Sequence, residues 1–344
     1  MNLLITGASG FIGSFLVEEA LAKGFRVWAA MRASSSKKYL TDPRIQFIEL
    51  DFGCADKLAK QLSAHREAFG AWDYIIHAAG ATKCLHKEDF FKTNFDGTRH
   101  FVDALRQLDM VPKQFVFVSS LSVYGAIRET PAVQKQPGGW IYSPIRENDT
   151  PAPNTAYGQS KLKAEEYIKS IADFPYVIFR PTGVYGPREK DYFLMAKSIK
   201  QHTDFAVGYR PQEITFVYVQ DLVDAIFCAI ASGVRQKAYF ISDGQVYHSR
   251  DFSDLIQKEL GVSWLLRIKA PKFLLKAICT VSEGFSKMSG KVSTLNNDKY
   301  HILCQRNWQC DIEPARKELG FEPRIQLAEG VKRTIAWYKK EGWL

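Results

Sequence analysis

Tyr157 and Lys161 stand four residues apart in the stretch YGQSK, a spacing that puts both side chains on one face of a helix. A free tyrosine has a pKa of about 10 and is a poor base at neutral pH. A neighbouring ammonium favours the phenolate and lowers that value, so the pair is a candidate general acid and base. A hydroxyl to accompany it lies in FVFVSSLSVYG, where Ser119 and Ser120 follow a strand-like apolar run. There a serine can hold a carbonyl oxygen while the tyrosine moves a proton. HAAG (His77–Gly80) ends another apolar run, and its small residues Ala78, Ala79 and Gly80 let a cofactor lie close. His77 itself reads as a satisfied strand-end residue. Asn94, in KTNFDGT, is placed to brace the site from the next helix.

What the site would act with is suggested by TGASGFIG, which sets Gly7, Gly10 and Gly13 between the first strand and the first helix. Glycine is needed where the chain turns tightly, where backbone approaches a phosphate, and where a helix packs on a strand. Ser9, Phe11 and Ile12 belong to the same turn and helix start, whose free N–H groups and positive dipole suit a pyrophosphate. An acid ending the second strand would hold the ribose 2′-hydroxyl of NAD. Met31 stands there, followed by Arg32, Ser34, Ser35, Lys37 and Lys38, a set that favours the 2′-phosphate of NADP over NAD. Asp51, beside Phe52 at the end of the third strand, is a candidate acceptor for the adenine amine.

These residues need a scaffold, and strand-like runs alternate with amphipathic segments to supply it. Strands are expected at 2–6, 26–31, 45–50, 74–77, 114–119 and 176–180, with helices at 11–23, 90–108 and 156–171. Such alternation implies an α/β fold of Rossmann type, a doubly wound parallel sheet with helices on both faces. After Arg180 come a helix at 192–201, strands at 213–217 and 238–242, a helix from Asp221, and a mostly helical remainder. Residues 1–180 and 213–245 are therefore assigned to a dinucleotide-binding domain, and 181–212 with 246–344 to a smaller, mainly helical substrate lobe. The Pro- and Gly-rich stretch between Tyr124 and Thr155 is too long for a plain connection and is expected to be a substrate lid.

Composition narrows the class further. The chain of 344 residues has a net charge of +9, but its cations are scattered among 37 acids and form no nucleic-acid track. Six dispersed cysteines form no CxxC pair, and no metal site is expected. The first strand begins at Asn2, which leaves no room for a signal peptide and points to the cytoplasm. WLLRIKAPKFLLKAICTVSEGFSK (264–287) mixes apolar residues with lysines. It reads as a lobe helix with solvated lysines, with contact to a membrane surface as the alternative.

Taken in order, TGASGFIG, Asp51, HAAG, TNFDGT, SSLSVYG, YGQSK, RPTGVYGPR and FVYVQDLVDAI resemble the extended short-chain dehydrogenases/reductases, the NAD(P)-dependent epimerase/dehydratase superfamily, over nearly the whole chain. The resemblance implies a catalytic set of Ser120, Tyr157 and Lys161 supported by Asn94, with Lys161 also gripping the nicotinamide ribose. It extends the cofactor contacts to Ser119, Pro181, Gly183 and Val184, and gives substrate contacts at Lys83, Ser120, Leu121, Ser122, Tyr157 and Tyr185. It also carries the expectation of a homodimer through the helices at 90–108 and 156–171.

Three departures bear on the branch. Nucleotide-sugar epimerases usually carry Asn at Gly183, and Arg-Asp-Phe where this chain has Ile214-Thr215-Phe216, with Arg210 a candidate replacement cation. Sugar-nucleotide dehydratases place Asp-Glu after the catalytic hydroxyl, where this chain has Leu121-Ser122. What remains is similar to the 3β-hydroxysteroid dehydrogenase and dihydroflavonol reductase branch. That implies an oxidoreductase interconverting a secondary alcohol and a ketone of a small-molecule substrate, with a nucleotide-sugar epimerase or reductase as the alternative. Trp140, Tyr142, Tyr185, Tyr192 and Phe193 are candidates for an apolar pocket.

Overall fold

A computed structural model of the chain describes residues 1–125, 142–209, 212–290, 293 and 296–344. The apolar runs become strands β1 (Asn2–Thr6), β2 (Arg26–Met31), β3 (Gln46–Glu49), β4 (Tyr74–His77), β5 (Gln114–Val118) and β6 (Tyr176–Pro181). Four short strands follow, β7 (Gly183–Tyr185), β8 (Thr203–Val207), β9 (Glu213–Ile214) and β10 (Phe216–Tyr218), then β11 (Lys237–Ile241), β12 (Tyr247–His248) and β13 (Leu266–Ala270). The main sheet is parallel, in the order β11-β6-β5-β4-β1-β2-β3. Its order reverses between β1 and β4, and doubly wound sheets bind ligands beyond the strand ends at that switch point. Every residue of β5 is buried, as expected of a strand covered on both faces.

Helices α1 (Phe11–Ala22) and α2 (Ala55–Phe69) are the first two crossovers. The helix expected at 90–108 is three pieces: α3 (Lys87–Phe90), a π-helical turn (Phe91–Asp96) and α4 (Gly97–Gln107). The wide turn lets the Asn94 side chain leave the helix and bond elsewhere, a demand that no apolar periodicity encodes. α5 (Ala156–Ser170), α6 (Asp191–Lys200) and α7 (Val219–Ser232) follow. The remainder carries α8 (Asp251–Leu260), α9 (Lys272–Ser289), α10 (Asn297–Cys304), α11 (Glu313–Leu319) and α12 (Leu327–Lys340).

The strand expected at 213–217 is also divided. β9 pairs with β12, β10 pairs with β7, and the break falls at Thr215. There the Thr215 hydroxyl donates to Trp308 O at 2.5 Å, and its carbonyl accepts from the Thr182 hydroxyl at 2.7 Å. Most of the proposed lid, including Trp140, lies outside the described residues, as does Arg210. Its far end is anchored: Ile145 exchanges backbone hydrogen bonds with Gln309 and Asp311.

One ion pair ties the sheet to α5. Glu165 is 0% exposed and Arg180, on β6, is 2% exposed. Two guanidinium nitrogens, Nε and Nη2, reach the carboxylate, the shortest contact being 2.6 Å. Nη1 donates to the Tyr124 hydroxyl at 3.2 Å, and the Ser119 hydroxyl donates to Glu165 at 2.5 Å. Removing one partner leaves a buried charge uncompensated, so Arg180→Ala is expected to lower stability by about 3–5 kcal/mol. Glu165→Met with Arg180→Met should recover much of that loss. Urea unfolding of the two variants checks it.

Candidate active site

Two glycines shape the turn over the switch point. Gly7 has φ +67°, and a Cβ there would lie 2.7 Å from Ala78 O. A Cβ on Gly13 would lie 2.0 Å from Gly7 O, so only glycine lets α1 start this close to β1. Gly10 caps α1 with no side-chain bond, leaving the first-turn amides facing the solvent side of the sheet. Arg32 is exposed just beyond β2 and Ser35 is half-buried. Lys37 instead lies over the Phe47 ring, 3.9 Å from its centre. Asp51 is ion-paired with Lys57 at 3.1 Å and keeps a partly exposed carboxylate. Ser9, Phe11, Ile12, Phe52, Ala78, Ala79 and Val184 are half-buried along the same edge, with Gly80 exposed and Pro181 buried at the end of β6. This cradle fits a dinucleotide: tight backbone without Cβ atoms, free amides at a helix start, and a cation beyond the second strand.

Next to the cradle, the Ser120 hydroxyl is a neighbour of the Tyr157 phenol and favours its ionised form. Ser120 also donates to the Ser122 hydroxyl at 3.1 Å and accepts from Ser122 N at 3.2 Å. Gly158 makes the approach possible, because a Cβ there would lie 2.4 Å from Ser122 O. Burial raises the Tyr157 phenol above its ordinary value, with the neighbouring Ser120 hydroxyl opposing it. The lowering expected from Lys161 is therefore corrected. The Lys161 amine donates to Val118 O at 2.7 Å over the Phe117 ring, and burial drives it down to about 7. A lysine so close to neutrality at pH 7 exerts only part of its field.

Three other expectations change. Ser119 turns its hydroxyl down to Glu165, away from the ligand edge. Leu121 is buried with Val123, Tyr124 and Phe240, so it supports the serine turn from beneath. Tyr185 is fully buried among Tyr192, Phe216, Tyr218 and Phe252, and belongs to a core cluster. Asn94 is a positioning residue: its oxygen accepts from Ala81 N at 2.7 Å, and its amide donates to Ala81 O and the Ser160 hydroxyl, each at 3.0 Å. Lys83 is ion-paired with Asp191, which also meets Lys299 at 3.3 Å.

A chain of hydrogen bonds holds Asn94 in turn. The Thr98 hydroxyl donates to Asn94 O at 2.7 Å, so His77 Nε2 must be the donor to Thr98 at 3.1 Å. Nδ1 of the neutral ring then accepts from the Thr6 hydroxyl at 2.8 Å, which itself accepts from Ala79 N. Burial holds His77 at about 3, consistent with a neutral ring.

Sequence reasoning missed Asp298. From α10 it accepts the amides of Ala156 and Tyr157 at 2.9 and 3.3 Å, and so caps α5 together with Thr155. Nothing in its local sequence shows a partner 142 residues away. Asp298 also lines a small open crevice with His86, Phe90, Glu283, Ser293 and Asn296. Phe90, in its wall, meets the Tyr157 ring edge-on at 6.2 Å. At Gly183 a Cβ would lie 2.6 Å from the Tyr192 hydroxyl, so the space an asparagine needs is filled.

Residues 3–242 match the model of the NAD dependent epimerase/dehydratase family. Among curated relatives, a dTDP-glucose 4,6-dehydratase of Streptomyces griseus is 24% identical, with 98% of this chain and 94% of the relative aligned. A decarboxylating sterol-4-alpha-carboxylate 3-dehydrogenase of Dictyostelium discoideum is 21% identical over 96% and 98%. Among solved structures, a UDP-glucose 4-epimerase of Thermotoga maritima superposes with a TM-score of 0.77 at 22% identity, covering 99% of both chains.

His77 gives a test of the site's acid limit. Its folded pKa lies near 3 against about 6.5 unfolded, so between those values the unfolded chain binds a proton that the fold excludes. Its contribution is complete above pH 6.5 and is lost as pH falls towards 3. His77→Gln should flatten the fall in stability between pH 6.5 and 4, measured by urea unfolding. His65, held at about 4 by burial, leaves a residual slope.

Proposed function

The chain belongs to the NAD-dependent epimerase/dehydratase family, and from that premise we propose that it interconverts a secondary alcohol and a ketone by hydride transfer, with Tyr157 as general acid and base. The observation that carries this reading is the buried Tyr157 phenol with the Ser120 hydroxyl as its neighbour and Lys161 one helical turn on, beside the glycine cradle. A dinucleotide bound in that cradle supplies the hydride acceptor or donor. Gly7, Gly10 and Gly13 admit its pyrophosphate, Asp51 the adenine end, and Lys161 the ribose next to the reacting ring. Ser120 orients the substrate oxygen. Burial keeps the Tyr157 phenol protonated at neutral pH, the state required to donate to a carbonyl oxygen in the reductive direction. Arg32 and Ser35, with no acid at Met31, support NADP as the preferred cofactor.

Two features favour a substrate other than a nucleotide sugar. Tyr192 fills the volume above Gly183, and Ile214 stands where nucleotide-sugar epimerases carry a cation. The second reading, a nucleotide-sugar epimerase or reductase, is supported by the polar lining of the crevice, where His86, Glu283, Asn296 and Asp298 suit a hydroxylated ring.

Tyr157→Phe is expected to lower kcat by about 100- to 10,000-fold while dinucleotide affinity is unchanged. Turnover of steroid, flavonoid and simple cyclic ketones with NADPH, read at the nicotinamide absorbance, tests the substrate class. Turnover of UDP- or dTDP-sugars alone would replace it with the second reading. Arg32→Ala should weaken NADPH about tenfold or more and leave NADH unaffected, because only the former loses a charged hydrogen bond. Equal effects on both cofactors would refute the NADP assignment.

A further inference from the structure

Helix α9 is packed inside out. Its inward face carries Leu275, Cys279, Ser282, Glu283 and Ser286, and it is fastened by polar bonds. Glu283 accepts from Asn297 N and Nδ2 at 3.2 and 2.8 Å, and Ser282 meets Ser293 at 2.6 Å. The apolar stripe Leu274, Ile278, Val281, Phe285 and Met288 recurs every three or four residues and faces solvent, joined by Phe273 at the helix start. Phe273 is 77% exposed, Phe285 67% and Met288 85%. The solvated-lysine expectation for this segment is thus half the picture: Lys272 and Lys276 are exposed, and so is the whole apolar face. Just before the helix, β13 exposes Leu266 and Ile268, and Ile268 pairs with exposed Phe205 of β8.

An unbroken apolar stripe of this length on a helix surface calls for a cover. We propose that α9 docks on an anionic lipid surface, lying in the plane of the interface with the stripe in the acyl boundary. Charge selects this occupant. Lys269, Lys272 and Lys276 are exposed along the rim, the only acid of α9 is Glu283, turned inward to Asn297, and the chain as a whole is +9. Basic residues bordering an apolar helical face suit acidic headgroups above an acyl layer. Eighteen residues make a helix about 27 Å long, and no helix among the described residues is long and apolar enough to cross a membrane. The docking is therefore interfacial. It would bring the crevice lined by Phe90 and Asp298 close to the bilayer, because Glu283 and Ser286 of α9 form part of its wall.

The test is co-sedimentation of the full chain with phosphatidylcholine vesicles, with and without phosphatidylglycerol. The expected result is binding to the anionic vesicles alone, weakening as salt rises. Phe273→Ser with Phe285→Ser should weaken it about tenfold for each side chain removed. Lys272→Glu with Lys276→Glu should weaken it independently. All four positions are exposed, and an unchanged thermal unfolding midpoint verifies that the variants fold. Failure to bind anionic vesicles, or equal and salt-insensitive binding to both kinds, overturns the proposal. So does an oligomer in lipid-free solution that the double serine variant dissociates, which would make a second copy of the chain the cover. The assay reads lipid binding without turnover, so it is independent of the reaction proposed for the site.

Discussion

Glu165 and Arg180 meet where water does not reach, and the rest of the site is hung from their contact. A carboxylate and a guanidinium that are both buried must satisfy one another, which fixes α5 against β6 in one register. Ser119 and Tyr124 complete the shell, so the two ends of the serine turn are held by the same charge pair that holds the helix. One helical turn before Glu165 stands Lys161, and one turn before that, Tyr157. The position of the phenol relative to Ser120 is thus inherited from an interaction that never touches a ligand.

A second network works through neutral groups. The path from Ala79 through Thr6, His77 and Thr98 to Asn94 alternates donors and acceptors so that each hydroxyl gives one bond and receives one. Because that order requires an uncharged ring, the depressed pKa of His77 is a condition of the geometry as well as a result of burial. Asn94 then spends its carboxamide on Ala81 and Ser160, which joins the loop after β4 to α5. The π turn is the backbone's concession to this arrangement.

Much of this was legible in the sequence, and the limits are instructive. The parallel sheet was written in runs such as Gln114–Val118, since strands buried on both faces carry apolar residues without alternation. The glycine turn and the Tyr157, Ser120 and Lys161 set were legible because spacing and order are local properties. Tyr185 and Leu121 misled because an aromatic or aliphatic residue near a motif reads the same whether it faces a ligand or the core. The π turn, the break at Thr215 and the cap from Asp298 all depend on partners far away in the chain. The direction of the Tyr157 shift escaped for a related reason: a spacing of four supplies the neighbouring amine, but only packing supplies the desolvation that outweighs it.

The reach of Asp298 has a bearing on how such a chain can diversify. The first turn of α5 borrows two of its hydrogen-bond acceptances from a segment that lies beyond the stretch matched to the family, so that turn is not a property of residues 3–242 by themselves. A lobe exchanged wholesale for another would leave those amides bare unless the newcomer brought its own anion to the same spot. At that spot the C-terminal region steadies the start of α5, one of several ties that also include Trp308 to Thr215 and Gln309 to Ile145.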